Sequence, residues 1–236
     1  MKPVLAVFRK ELRQYFSTPV AYALLAVFWA LSGYYFSFNV FFVHVAQMVN
    51  AFHNMSILLM LVMPLLTMRI FAEENRAGTT EFLLSLPLGE PAIVFGKFLA
   101  ALAVLGLMIG GTAATLVPLT AFGHPDLGPV IGGYLGVFLL GTAFLAIGLF
   151  ISALCSNQLV AALVTWAVFV LLWYIDYAVT LTDNAPLVRL LMHLCFSQHY
   201  VDLIRGVLAS PTVAYFGGIV AAFLALAVQA LRMRRA

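Results

Sequence analysis

The chain has 236 residues, of which 64% are hydrophobic and 9% charged, and its mean hydropathy is +1.06. A soluble globular domain carries roughly 25% charged residues, so a hydrated surface around one apolar core is excluded and lipid is the solvent for most of the molecule. The net charge of +3 does not call for a nucleic-acid partner, because its basic residues cluster as a membrane protein's do.

A membrane-crossing helix needs about 20 mostly apolar residues, so this length holds about six spans, short connections and no sizeable soluble domain. Residues 3–16 are amphipathic. Val4, Leu5, Phe8, Leu12, Tyr15 and Phe16 fall on one side of a helical wheel, and Lys2, Arg9, Lys10, Arg13 and Gln14 on the other. The charges at Arg9, Lys10, Glu11 and Arg13 speak against a signal peptide. A basic amphipathic helix beside a span lies in the membrane interface or packs on another subunit. Pro19 separates it from a first span over 20–41, which carries no charge. A polar turn is expected over 44–54, and a second span over 55–71 with Pro64 in its middle, where proline kinks a helix.

After a charged interruption at 72–91, span three covers 92–118, span four 130–154 and span five 159–181. A polar stretch at 182–211 and span six at 212–231 follow, with Arg232, Arg234 and Arg235 at the end. Basic residues stay on the cytoplasmic side. With six spans, ten of the twelve (Lys2, Arg9, Lys10, Arg13, Arg69, Arg76, Lys97, Arg232, Arg234 and Arg235) share one side, and only Arg189 and Arg205 face the other. Both termini are therefore expected in the cytoplasm. Gly106 with Gly110 and Gly132 with Gly136, four apart, are expected at close helix contacts.

The most informative stretch is the loop between spans two and three, Glu73-Glu74-Asn75-Arg76-Ala77-Gly78-Thr79-Thr80-Glu81-Phe82-Leu83-Leu84-Ser85-Leu86-Pro87. Gly78 breaks the incoming helix. Thr79 is a good N-cap and Glu81 puts a carboxylate in the new first turn. Phe82, Leu83, Leu84 and Leu86 then form an apolar surface, and Pro87 ends the segment. Pro91 suits the start of the next span. A short apolar helix with no room to fold back into its own core asks either for a partner or for lipid headgroups to lie on.

That loop, placed after span two of six, resembles the cytoplasmic loop of ABC-2 type transporter permeases. The amphipathic start, Val4 to Leu12, is similar to that family's N-terminal elbow helix, and the likeness covers essentially the whole chain. Within the family, Gly96-Lys97 and the run from Ser197 to Val207 resemble the gliding-motility-associated subgroup. The resemblance implies an all-α polytopic permease with an elbow over 1–18, a cytoplasmic coupling loop over 72–91 and an outer re-entrant or gate region over 182–211. The implied setting is the bacterial inner membrane. It implies ATPase-coupling roles for Glu73, Arg76, Gly78, Thr79, Glu81, Phe82, Leu83, Leu84 and Pro87, and outer-gate roles for Ser197, His199, Asp202, Arg205 and Gly206. It further implies a separate ABC ATPase subunit that binds ATP and Mg, and a second permease, either another copy or a related chain, in contact with membrane lipid.

No catalytic apparatus is expected in the chain. Gly96-Lys97 is followed by Phe98, and Pro91 stands where a phosphate-binding loop needs its first glycine. His44, His53, His124, His193 and His199 are scattered without ligand spacing, and Cys155 and Cys195 read as small apolar thiols. Ser152 and Ser156 have no histidine in their span. Asp176, near the outer end of span five among Trp173, Tyr174 and Tyr177, reads as a snorkelling acid at an aromatic belt. The stretch 182–211 is too broken to span and reads as one or two short helices in the outer leaflet, either a gate or a cap on the bundle. Asp202 and Arg205 are spaced for a local ion pair. A secondary transporter or channel subunit is the rival reading; it requires charged residues deep in several spans.

Overall fold

A computed structural model describes residues 2–41, 48–80, 82, 88–117, 127–179, 186, 188, 192, 195–204 and 209–235. Nine α-helices are assigned among them: α1 (Lys2–Ser17), α2 (Pro19–Phe41), α3 (Met48–Thr67), α4 (Ala72–Ala77), α5 (Glu90–Gly111), α6 (Leu127–Leu154), α7 (Gln158–Val179), α8 (Phe196–Ile204) and α9 (Ser210–Arg235). No strand occurs among the described residues. Helices α2, α3, α5, α6, α7 and α9 are long and apolar enough to cross a membrane.

The predicted spans differ from these helices by a few residues at several edges, three of which are instructive. Residues 48–54, expected in a polar turn, already belong to α3. Helix α5 tightens into a 3₁₀ turn at Thr112–Thr115. There the Trp29 indole donates to Met108 O (2.9 Å) and the Thr112 hydroxyl to Ile109 O (2.6 Å), so α5 carbonyls are met from outside its own ladder. The terminal arginines continue α9 rather than forming a tail.

Helices α3, α5 and α6 form the centre. Their apolar stretches are 72, 61 and 72% buried, against 33, 22 and 22% for those of α2, α7 and α9. Three mostly buried helices need small residues where backbones meet. Gly148 of α6 abuts the Thr67 side chain of α3, where a Cβ would collide with it. Gly106 and Gly110, picked out by spacing, have open space beside them. Spacing finds a small face but not what packs on it.

Helix α1 lies along α5 of its own chain. The residues it buries are Val7 and Glu11, not the centre of the apolar stripe on the wheel, and Leu5 remains exposed. Gly96 permits this approach: a Cβ there would stand 2.6 Å from Val7 Cβ and 3.1 Å from Val4 O. At the same end of the bundle Arg234 Nη2 donates to Leu154 O (3.1 Å) and Arg232 Nε lies 4.0 Å from Glu90 Oε2. The elbow, the start of α5, the α6–α7 turn and the end of α9 thus share one end.

Candidate functional site at the elbow and the charged loop

The charged loop begins where α3 runs out. Pro64 offers no N–H to α3, and beyond it the Thr67 hydroxyl bonds back to Met63 O (2.9 Å). The next helix, α4, has Phe71 at its N-cap, which supplies no side-chain acceptor. Ser152, at the end of α6, fills that role. Its hydroxyl accepts from Phe71 N and Ala72 N (3.1 Å each) and donates to Met68 O (3.2 Å). A helix start buried against a second helix would otherwise leave two donors dry.

The side chain of Asn75 ties α4 to the α6–α7 turn. Its Nδ2 donates to Cys155 O (2.8 Å), and its Oδ1 accepts from the Thr80 hydroxyl (2.7 Å). Gly78 ends α4 in the left-handed conformation, φ 69°, where a side chain costs energy and glycine does not. The Thr79 hydroxyl donates backward to Glu74 O (3.3 Å), closing α4. Thr79, expected as the N-cap of the next segment, thus also bonds back to the preceding helix. The loop also folds back where none was expected, since Thr80 is buried against Asn75.

Four charges lock this loop to α1 and α5. Lys97 Nζ, almost wholly buried, lies 3.0 Å from Glu11 Oε1, 3.0 Å from Glu74 Oε2 and 2.9 Å from Ile70 O. Lys10 Nζ lies 3.2 Å from Glu11 Oε1 and 3.1 Å from Glu74 Oε1. Each carboxylate bridges both ammonium groups, and the quartet sums to zero charge. An ammonium has three N–H donors, and Lys97 has three acceptors around it. The Phe71 ring stands 5.1 Å from the same ammonium. Burial works to lower the Lys10 pKa, but the attraction of Glu11 and Glu74 outweighs it and holds the ammonium above its ordinary value. Burial, with the charge of Glu11 behind it, pushes the Tyr15 phenol up as well, against an opposing pull from Arg69.

Of the residues assigned to ATPase coupling, Glu73 pairs within its own turn with Arg69 (3.7 Å), and Arg76, Gly78 and Thr79 are exposed. Phe82 is 71% exposed and lines, with Lys10, Gln14, Glu74 and Thr79, a groove of about 530 Å³ between the elbow and the loop. Glu81, Leu83, Leu84 and Pro87 lie outside the described residues. The residues that organise the site, Glu11, Glu74, Lys97, Ser152 and Asn75, were not singled out as site residues from the sequence. Lys97 carried the one available signal, a lysine inside an apolar span.

At the other end, the short helix α8 packs inward against the bundle. Tyr200 is fully buried and donates its hydroxyl to Phe52 O (2.8 Å), while Leu203 packs on Gly136. His199 stacks on Tyr215 (4.0 Å, 9°), and its Nδ1 lies 2.9 Å from Cys195 O, a contact that requires the proton on Nδ1. Ser197 is half-buried on α8. The side chains of Asp202 and Asp176, and Arg205 and Gly206, lie outside the described residues, and so does the Asp202–Arg205 pair. No grouping of three metal-ligating side chains occurs among the described residues.

Six apolar helices around a buried centre, with charge gathered at one end, define a multi-pass membrane protein. The family model for ABC-2 family transporter proteins matches residues 5–231, and the chain belongs to that family. It is an ABC transporter permease. No curated protein matches it in sequence.

Proposed function

We propose that this permease is driven by a separate ABC ATPase that grips the segment beginning at Thr79, and that α4 passes the motion inward. One observation carries the reading: α4 is fixed on two sides and open on the third. Glu74 binds it to α1 and α5 through Lys10 and Lys97, and Asn75 and Ser152 bind it to the end of α6. Phe82, just beyond, stays exposed. A push on the apolar segment 82–86 then reaches the elbow, span three and the span four–five turn together, without bending one loop in isolation.

The buried Lys97 does not favour the rival reading of a channel or secondary transporter. It stands near the start of α5, hydrogen-bonded to Glu11 and Ile70 O and ion-paired with Glu74, so its charge is balanced within the protein. The ten basic residues on one side support cytoplasmic termini in a bacterial inner membrane. The likeness at Gly96-Lys97 and 197–207 supports the gliding-motility-associated subgroup. A second permease, the same chain or a related one, completes the pathway, with ATP and Mg held by the ATPases; the substrate is left unassigned.

The test is co-purification in mild detergent with any chain that carries an ATP-binding motif. The wild type retains it and Leu83→Asp/Leu84→Asp loses it. Retention by both proteins, with transport intact, rules the reading out.

A further inference from the structure

Helices α5 and α9 enclose a lateral groove of about 660 Å³, within the roughly 300–1,000 Å³ of small-molecule sites. On α5 its wall is Pro91, Phe95 and Leu99, each four residues from the last. On α9 it is Gly217, Ala221 and Ala225, at the same spacing, whose small side chains leave the space open. A Cβ on Gly217 would meet nothing within 4 Å.

The groove ends at Arg232, whose side chain is 62% exposed. Its Nε is 4.0 Å from Glu90 Oε2, too far for a hydrogen bond. At a rise of 1.5 Å per residue, position 217 to position 232 spans about 22 Å. Half of a bilayer with its headgroups is also roughly 20–22 Å. The groove therefore runs from the headgroup layer to near the midplane, apolar as far as Gln229 and cationic at its Arg232 end.

We propose that this groove is a binding site for one anionic phospholipid, with an acyl chain along Gly217, Ala221 and Ala225 and the phosphate at Arg232. A guanidinium meets a phosphate with two parallel N–H groups. Glu90 offsets part of the charge, so discrimination among headgroups is moderate. The site is distinct from the loop and holds whether or not an ATPase grips Phe82.

Native mass spectrometry of delipidated protein titrated with dioleoyl phosphatidylglycerol or dioleoyl phosphatidylcholine tests it. Wild type binds one phosphatidylglycerol tightly, with about fivefold preference over phosphatidylcholine, the effect of one basic residue at an anionic surface. Arg232→Gln keeps a lipid but loses the preference. Ala221→Leu and Ala225→Leu each lose the tight adduct while melting as wild type does, and Leu163→Phe, at an exposed position of α7 outside the groove, changes nothing. Equal affinity for the two lipids in the wild type overturns the site. So does unchanged binding in a folded Ala221→Leu or Ala225→Leu variant. Arg232→Gln alters an exposed side chain, so its arm reads out even if a groove variant fails to fold.

Discussion

Lys97 Nζ and Glu11 Oε1 meet at 3.0 Å across 86 positions of sequence, both side chains buried. The elbow helix is thereby joined to span three by charge as well as by apolar contact. With Glu74 and Lys10 completing a neutral quartet, removing one member strands its partners, whereas removing a balanced pair does not. Lys97→Met is expected to destabilise by about 3–5 kcal/mol. The double variant Lys97→Met/Glu11→Leu, which leaves Lys10 with Glu74, is expected to lose distinctly less. Thermal unfolding in one detergent measures both; a double variant worse than Lys97→Met alone contradicts the charge balance.

Ser152 supplies a cap that no residue of its own helix could use. Ser152→Ala leaves Phe71 N and Ala72 N without an acceptor, at a cost of about 1–3 kcal/mol. The loss is local, because the centre of α6 is untouched. Hydrogen exchange across 71–77 should quicken while exchange in α5 stays put. Uniform acceleration over the bundle would mean that Ser152 is a core packing residue instead.

The parts of this structure that could be read from residue order are those set by solvent. Six spans were legible because a charge in hydrocarbon is costly and leaves gaps in the charge pattern, as at 72–91. The break at Gly78 was legible because a helix end in the left-handed region selects glycine. What could not be read depends on a partner remote in sequence. Glu11 looked like one more interfacial charge until Lys97 lay beside it. Ser152 looked like an idle hydroxyl in a span until α4 began on top of it. Gly96, not Gly106, takes the close approach because Val7 packs there, and one chain's spacing carries no word of Val7.

Gly78 separates α4 from the exposed segment that follows, and its φ of 69° is open to glycine at no steric cost. No atom stands within 4 Å of a Cβ built there, so Gly78→Ala acts on the backbone alone, by about 1–2 kcal/mol. Gly78→Asn, which tolerates that region better, should cost less. Because the change lies between the ion quartet and Phe82, transport should fall more than melting temperature does. Equal losses from Ala and Asn would remove the conformational explanation.

Lys10 gives the elbow a pH signature with a definite sign. Its ammonium is held above the ordinary 10.5 by Glu11 and Glu74 against the opposing effect of burial. A raised pKa in the folded state means the contribution is fully present below about pH 10.5 and is lost as pH rises through the folded value. The wild type and Lys10→Met should therefore differ by a constant amount in protease accessibility of the elbow between pH 7 and pH 9. The difference should close only above about 10.5. Taking the difference between the two proteins removes the titration of every other group they share. Lys97 still pairs with Glu11 and Glu74 in the variant, and Lys10 is the more exposed of the two lysines, so Lys10→Met should cost less than Lys97→Met and reports the share of the quartet that Lys10 holds. A difference that vanishes already between pH 7 and pH 9 would show that Lys10 is not held by these two carboxylates.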